Sequence, residues 1–134
     1  MNYKEKAAYY HSLGYNCAQA VACAFEDSSE LSHEALFKIS EAFGLGMGNM
    51  QGTCGALSGA LMILSQIEST GKTHDQMPKS KANTYARAKN VMEEFKANTG
   101  TVICKELKSQ GPTFTPCPRC IELACEILEN ELNK

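Results

Sequence analysis

The sequence predicts an all-α fold, a single compact bundle of about five to seven helices, with residues 1–134 as one domain and a Gly-rich loop before a central buried helix. Apolar residues recur at three- and four-residue spacing along most of the chain and nowhere alternate convincingly in the two-residue manner of a strand. Capping residues open these runs, and glycine or proline closes them. With 134 residues and 43% hydrophobic content, the chain can fill one core without disulfide staples.

Asn2 to Ser12 carries Tyr3, Ala7, Tyr10 and Leu13 at helical spacing, and Gly14 supplies a stop. Asn16 with Gln19 three residues later is a variant of the capping box, so a buried helix is expected from Cys17 through the apolar run Ala18 to Phe25. Ser32 caps a third helix through Phe43, with Ala35, Leu36, Ile39, Ala42 and Phe43 on its apolar face.

The stretch Gly44 to Gly59 then gathers six of the ten glycines around Cys54, which predicts a mobile or tightly folded loop delivering that cysteine to a helix opening. Thr53 is the expected cap of a helix over Cys54 to Ser69. Gly55 and Gly59, with Ala56 and Ala60, form a small-residue stripe that fits either close packing of another helix or access for a bulky cofactor. On the cofactor reading, Gly52, Gly55 and Gly59 are the candidate binding positions.

Thr70 to Lys79 is a polar surface connection, with His74 solvated. A long helix follows from Lys81 to Asn98, turning Tyr85, Ala88, Met92 and Phe95 inward and ending at Gly100. Thr101 either caps a short helix, Val102 to Lys108, with Cys104 in its opening turn, or begins an extended segment. Gly111 to Pro116 is a connector, and Thr115-Pro116 starts the last helix at Cys117, which continues on Ile121, Ala124, Cys125 and Leu128.

Net charge is −2, with acidic and basic residues interspersed, so no basic stripe is offered to nucleic acid. The first residues lack a signal-peptide core, and the apolar runs are too short and interrupted to span a bilayer, so a cytoplasmic location without membrane association is expected. Thiols in that compartment are kept reduced, and an odd count of seven cysteines excludes complete internal pairing. Cys23 and Cys125 sit among small apolar residues and read as core hydrophobes.

Cys17, Cys54, Cys104 and Cys117 each fall in an expected first helical turn, where unpaired N–H groups and the positive end of the helix dipole favour a thiolate. Converging thiolates suit either a metal or iron–sulfur site, with those four as ligands, or dithiol pairs that exchange electrons. Cys117-Pro-Arg-Cys120 is a C-x-x-C at a helix start, which activates one thiol and keeps the other a turn behind, and Arg119 would add positive charge. There is no second C-x-x-C, so a zinc site would have to recruit dispersed ligands. His11, His33 and His74 are scattered over expected surface positions, and order alone builds neither a Ser-His-Asp nor a Cys-His arrangement. Glu122, Glu126 and Glu129 make a solvated helix face.

Tyr15-Asn-Cys-Ala-Gln-Ala-Val21, Gly52-Thr-Cys-Gly-Ala-Leu-Ser-Gly59, Cys104-Lys-Glu-Leu107 and the late cysteine before Ile121 resemble the "putative redox-active" family named for a Cys, Gly-Cys-Ala-x-x-Gly, Cys, Cys pattern. The resemblance spans nearly the whole chain and implies a redox role for four cysteines with no assigned substrate or cofactor. By position these are Cys17, Cys54, Cys104 and Cys117, with Cys120 competing for the last place. The order Cys54-Gly55-Ala56 departs from Gly-Cys-Ala, while Gly59 keeps the rest of the motif.

Two readings follow. In the first, a thiol- or metal-dependent redox or electron-transfer protein uses Cys17, Cys54, Cys104, Cys117 and Cys120 with a redox partner protein or a small-molecule oxidant or reductant, as a monomer or a homodimer. In the second, a helical binding module uses Met47, Met50 and Met62 beside the glycine loop as an adaptable pocket, the cysteines being core residues.

Overall fold

A computed structural model describes residues 1–74 and 80–134. Seven α-helices are present among the described residues: α1 Tyr3–Ser12, α2 Cys17–Ala24, α3 His33–Ser40, α4 Gly55–Glu68, α5 Ser80–Thr99, α6 Cys104–Lys108 and α7 Cys117–Leu132. Short 3-10 turns at Glu26–Ser28 and Glu41–Phe43 follow α2 and α3. The expected connection from Thr70 is exposed as far as His74, and its remainder, 75–79, lies outside the described residues.

The helix openings follow from local chemistry. Asn2 and Glu5 close a full capping box on α1, and Asn16 and Gln19 do the same on α2, where Asn16 Oδ1 accepts from the Gln19 N–H at 2.9 Å and Gln19 Oε1 from the Asn16 N–H at 3.0 Å. Ser32 caps α3. Thr53 does not cap α4; Cys54 is itself the N-cap, because Thr53 is held in an isolated antiparallel bridge with Ile103.

α2 and α4 form the central pair. α2 packs on α1, α3, α4 and α7, and every one of its residues after Cys17 is buried. The small-residue stripe of α4 is what allows this. A Cβ on Gly59 would stand 2.5 Å from the Ala18 carbonyl oxygen, and one on Gly55 would stand 2.9 Å from the Phe43 carbonyl oxygen. The two backbones therefore touch directly, as close helix packing with small residues permits.

Four apolar side chains expected inside lie outside. Leu13 is exposed because it follows the last turn of α1 as its C-cap. On α3 the buried positions are Leu36 and Ser40, four apart, which leaves Ile39 on the flank, while Ala42 sits exposed in the 3-10 turn after the α-helix ends. The buried stripe of α5 is Val91, Phe95 and Thr99, so Tyr85, six residues before Val91, projects into solvent.

Candidate functional site

Four helix openings and one loop build the site. The loop after Phe43 is tightly folded: the N–H of Met50 donates to Leu45 O at 2.7 Å, and that of Gly52 to Gly46 O at 3.1 Å. Leu45, Met47 and Met50 all take left-handed backbone angles, an uncommon and strained cluster for side-chain-bearing residues. Gly46 is left-handed too, and a Cβ there would lie 2.3 Å from the Cβ of Cys104, so only glycine lets the loop pass this cysteine.

Two backbone bonds flanking the Thr53–Ile103 bridge then fix two cysteines together, with the Cys54 N–H donating to Val102 O at 2.7 Å and the Cys104 N–H to Gly52 O at 2.9 Å. Val102 and Ile103 are thus extended and Cys104 opens α6, so both local alternatives for this stretch are used in succession. Of the glycines expected to face a cofactor, Gly55 lines the cavity described next, Gly59 is buried against Ala18, and Gly52 holds the Cys104 amide.

The four openings surround a cavity of about 200 Å³ lined by Cys17, Cys54, Cys104, Cys117, Lys108 and, at its edge, His11, Asn16, Leu45 and Gly55. All seven cysteines are free thiols. Five of them gather here, and Cys23 and Cys125 lie elsewhere in the core with their thiols pushed up by burial, to about 11 and about 12.

The gathered thiols couple in pairs. The Cys17 thiol lowers neighbouring Cys117 to about 5 despite burial, with Lys108 and His11 assisting, and the Cys117 thiolate in turn raises Cys17 well above the ordinary thiol range. Cys120, buried one turn behind Cys117, donates to the Thr115 carbonyl at 3.6 Å and is likewise raised, first by Cys54 and then by burial. Cys54 is lowered to about 7 by Cys120, against burial, with the N–H groups of Ala56 and Leu57 helping even though its sulfur closes no conventional cap bond. This is the thiolate-favouring effect of a helix opening. Cys104 joins neither pair; burial raises it.

Lys108 stands between the pairs. Its Nζ lies 3.8 Å from Cys120 Sγ and donates to the Thr115 carbonyl at 3.4 Å, and the side chain lines the cavity beside Cys117. Burial lowers its pKa, but the neighbouring thiolates outweigh this, so the net shift is upward and the ammonium persists. The cation at the thiols is therefore Lys108, whereas Arg119 ion-pairs with Glu122 on the exposed face of α7.

Among the described residues, no three His, Cys, Asp or Glu side chains form a group able to hold a metal ion. Of the donor set Cys17, Cys54, Cys104 and Cys117, only Cys17 and Cys117 pair with each other; Cys54 pairs with Cys120 outside the set and Cys104 with none.

The family profile described as "Putative redox-active protein (C_GCAxxG_C_C)" matches residues 15–131. The chain belongs to this family. No curated protein and no solved structure matches it. The four cysteines that the resemblance assigns by position, Cys17, Cys54, Cys104 and Cys117, line one cavity, and Cys120 lies buried one turn behind Cys117. No helix among the described residues is long and apolar enough to cross a membrane.

Sequence reasoning missed two contributors. His11 reaches the cavity because α1 packs on α2, a juxtaposition with no sequence signature. Lys108 had one: it lies four residues after Cys104 on the same short helix, hence on the same face. His33 is not freely solvated either, since it sits 2.7 Å from Tyr15 Oη and 3.3 Å from a Glu26 carboxylate oxygen, away from the thiols. Met47 and Met62 line a separate groove with Phe43 and Leu61 that shares no residue with the thiol cavity, and Met50 is in neither.

Proposed function

We propose that this is a dithiol–disulfide redox protein in which Cys117 is the attacking thiol and Cys17 the resolving one. The observation that carries this reading is that Cys17 and Cys117, each opening a helix, line the same cavity with the half-buried Lys108 ammonium. A thiolate is the nucleophile in disulfide exchange, and Cys117 is half-exposed, at a helix opening and ionised at neutral pH.

The reaction with a partner disulfide proceeds in two steps. The Cys117 thiolate bonds to one sulfur of the partner, and the partner's S–S bond breaks to release its other half as a thiolate. Cys17 then passes its proton to the released partner thiolate and bonds to Cys117 Sγ, the mixed disulfide breaks, and the second half of the partner leaves as a thiolate. Two electrons pass to the partner, and the Cys17–Cys117 disulfide remains. Lys108 favours the thiolate forms along this path. The reverse direction reduces the protein at the expense of a partner dithiol. A protein or a small disulfide serves as partner, and the reducing cytoplasm suits a cycling site of this kind.

The test is to equilibrate the protein in dithiothreitol buffers of graded potential, quench with acid, alkylate and map by mass spectrometry. Cys17 and Cys117 should lose alkylation together, as one reversible two-electron couple, and either Cys17→Ser or Cys117→Ser should abolish it. Independent behaviour of the two thiols, or no loss at either, rejects the reading.

A further inference from the structure

From the way one C-x-x-C joins the two thiol pairs, we infer that Cys54 and Cys120 act as an internal electron store, which takes over the disulfide formed at Cys17 and Cys117. This rests on the dithiol reading above and extends it to a protein that carries four electrons.

Three contacts support the transfer. Cys117 and Cys120 are three residues apart on α7, and hence neighbours on its surface. Cys117 lines one cavity with Cys17 and Cys54, and each of the two α7 cysteines has its ionisation shifted first by a different thiol, Cys17 for Cys117 and Cys54 for Cys120. Lys108 Nζ stands 3.8 Å from Cys120 Sγ and lines the same cavity as Cys117, so the negative charge keeps the same cation as it moves from one pair to the other. A purely structural buried cysteine needs none of this, as Cys125 shows on the same helix: burial is the first cause of its upward shift, and the carboxylates of Glu129 and Glu126 add to it.

The exchange balances without an outside reactant. Cys120 passes its proton to the Cys54 thiolate and bonds to Cys117 Sγ. The Cys17–Cys117 bond breaks, and Cys17 leaves with its electron pair and takes up that proton from Cys54, which lines the same cavity. Cys54, again a thiolate, then bonds to Cys120 Sγ, and the Cys117–Cys120 bond breaks to free Cys117 as a thiolate. One thiolate and one thiol enter, and one thiolate and one thiol leave. The second step is driven by its leaving group, because the thiol with the lower pKa leaves faster and Cys117 sits near 5. The high pKa of Cys17 does not block the first step, since its largest cause is the Cys117 thiolate, which is absent from the disulfide.

The experiment is a time course on fully reduced protein given one equivalent of 4,4′-dithiodipyridine, acid-quenched and mapped by mass spectrometry. The Cys17–Cys117 disulfide should appear first and decay, and Cys54–Cys120 should grow with the same rate constant while Cys17 and Cys117 regain alkylation. A second equivalent should then be consumed at Cys17 and Cys117, and Cys54→Ala or Cys120→Ala should stop consumption after one. If Cys17–Cys117 forms in the wild type and stays there, the relay is wrong and the dithiol reading stands. If Cys17–Cys117 never forms, both fall. The wild-type time course decides this even if an alanine variant folds poorly.

Discussion

Lys108→Met keeps the length and apolar stem of the side chain and removes only the ammonium, so it isolates charge at the thiol site. The main causes set against burial at Cys117 are the Cys17 thiol, followed by the Lys108 ammonium. An opposite charge at hydrogen-bonding distance moves a pKa by about 1–3 units, and here Cys17 still holds the thiolate, so the midpoint of Cys117 ionisation should rise from about 5 by about one to two pH units. At pH 7 the thiolate is then still the main form after a rise of about one unit and about half the population after about two. Nucleophilicity grows with pKa with a Brønsted slope of about 0.4–0.5, so the limiting rate should increase about three- to tenfold while the low-pH limb falls. The signature is thus a displaced pH profile with a higher plateau, and not loss of reactivity. The assay is iodoacetamide alkylation of Cys117 from pH 4 to 9 by mass spectrometry, on Cys17-containing protein, with Lys108→Arg as the charge-retaining control. Superposition of the Met and wild-type profiles, or equal displacement by Met and Arg, would show that the ammonium does not set the Cys117 ionisation.

Further outcomes follow from other contacts. Gly59→Ala places a Cβ 2.5 Å from the immobile Ala18 carbonyl, so the overpacking cost of about 1–3 kcal/mol should exceed the helix-propensity gain of about 1 kcal/mol and lower the urea midpoint. Arg87 pairs with Glu68 and with buried Glu131, so Arg87→Met should cost about 3 kcal/mol in urea unfolding at pH 7 by leaving Glu131 short of a partner. Burial pushes Glu131 up, but bonds from Lys134, Asn90 and Arg87 outweigh it and hold its pKa below the ordinary value. Its contribution is therefore present above the unfolded carboxylate range and lost as pH falls through the folded pKa, and the Arg87→Met penalty should shrink in unfolding series taken below about pH 4. Cys104 belongs to neither thiol pair, so Cys104→Ser should leave the Cys17–Cys117 couple intact in the dithiothreitol titration, whereas a shift of that couple by more than about 30 mV, a tenfold change in its equilibrium constant, would assign Cys104 a part in it.

The sequence by itself determined the helical class, most element boundaries and the placement of four cysteines at helix openings, because these depend on local chemistry. The Asn16–Gln19 box, the Ser32 cap and the Thr115-Pro116 start each act within one turn, and each appears as expected. Glycine at Gly100 and Gly14 likewise ends its helix with a left-handed backbone. The family pattern was legible for the same reason, since it records which residues stand at helix openings. Tertiary packing alone decided which thiol meets which. The pairing of Cys17 with Cys117 and of Cys54 with Cys120 joins residues far apart in the chain, and spacing cannot choose among such pairings. The roles of the glycines were decided the same way: spacing favours packing at Gly55 and Gly59 but allows access, and the fold sets Gly59 against Ala18 while Gly55 both meets Phe43 and lines the cavity. The cation was misplaced from sequence because Arg119 lies between the two cysteines in the chain, while α6 carries Lys108 to them in space. Charge acts through distance, and distance between helices is set by the packing of α2 on α4 and α7, which no single segment encodes.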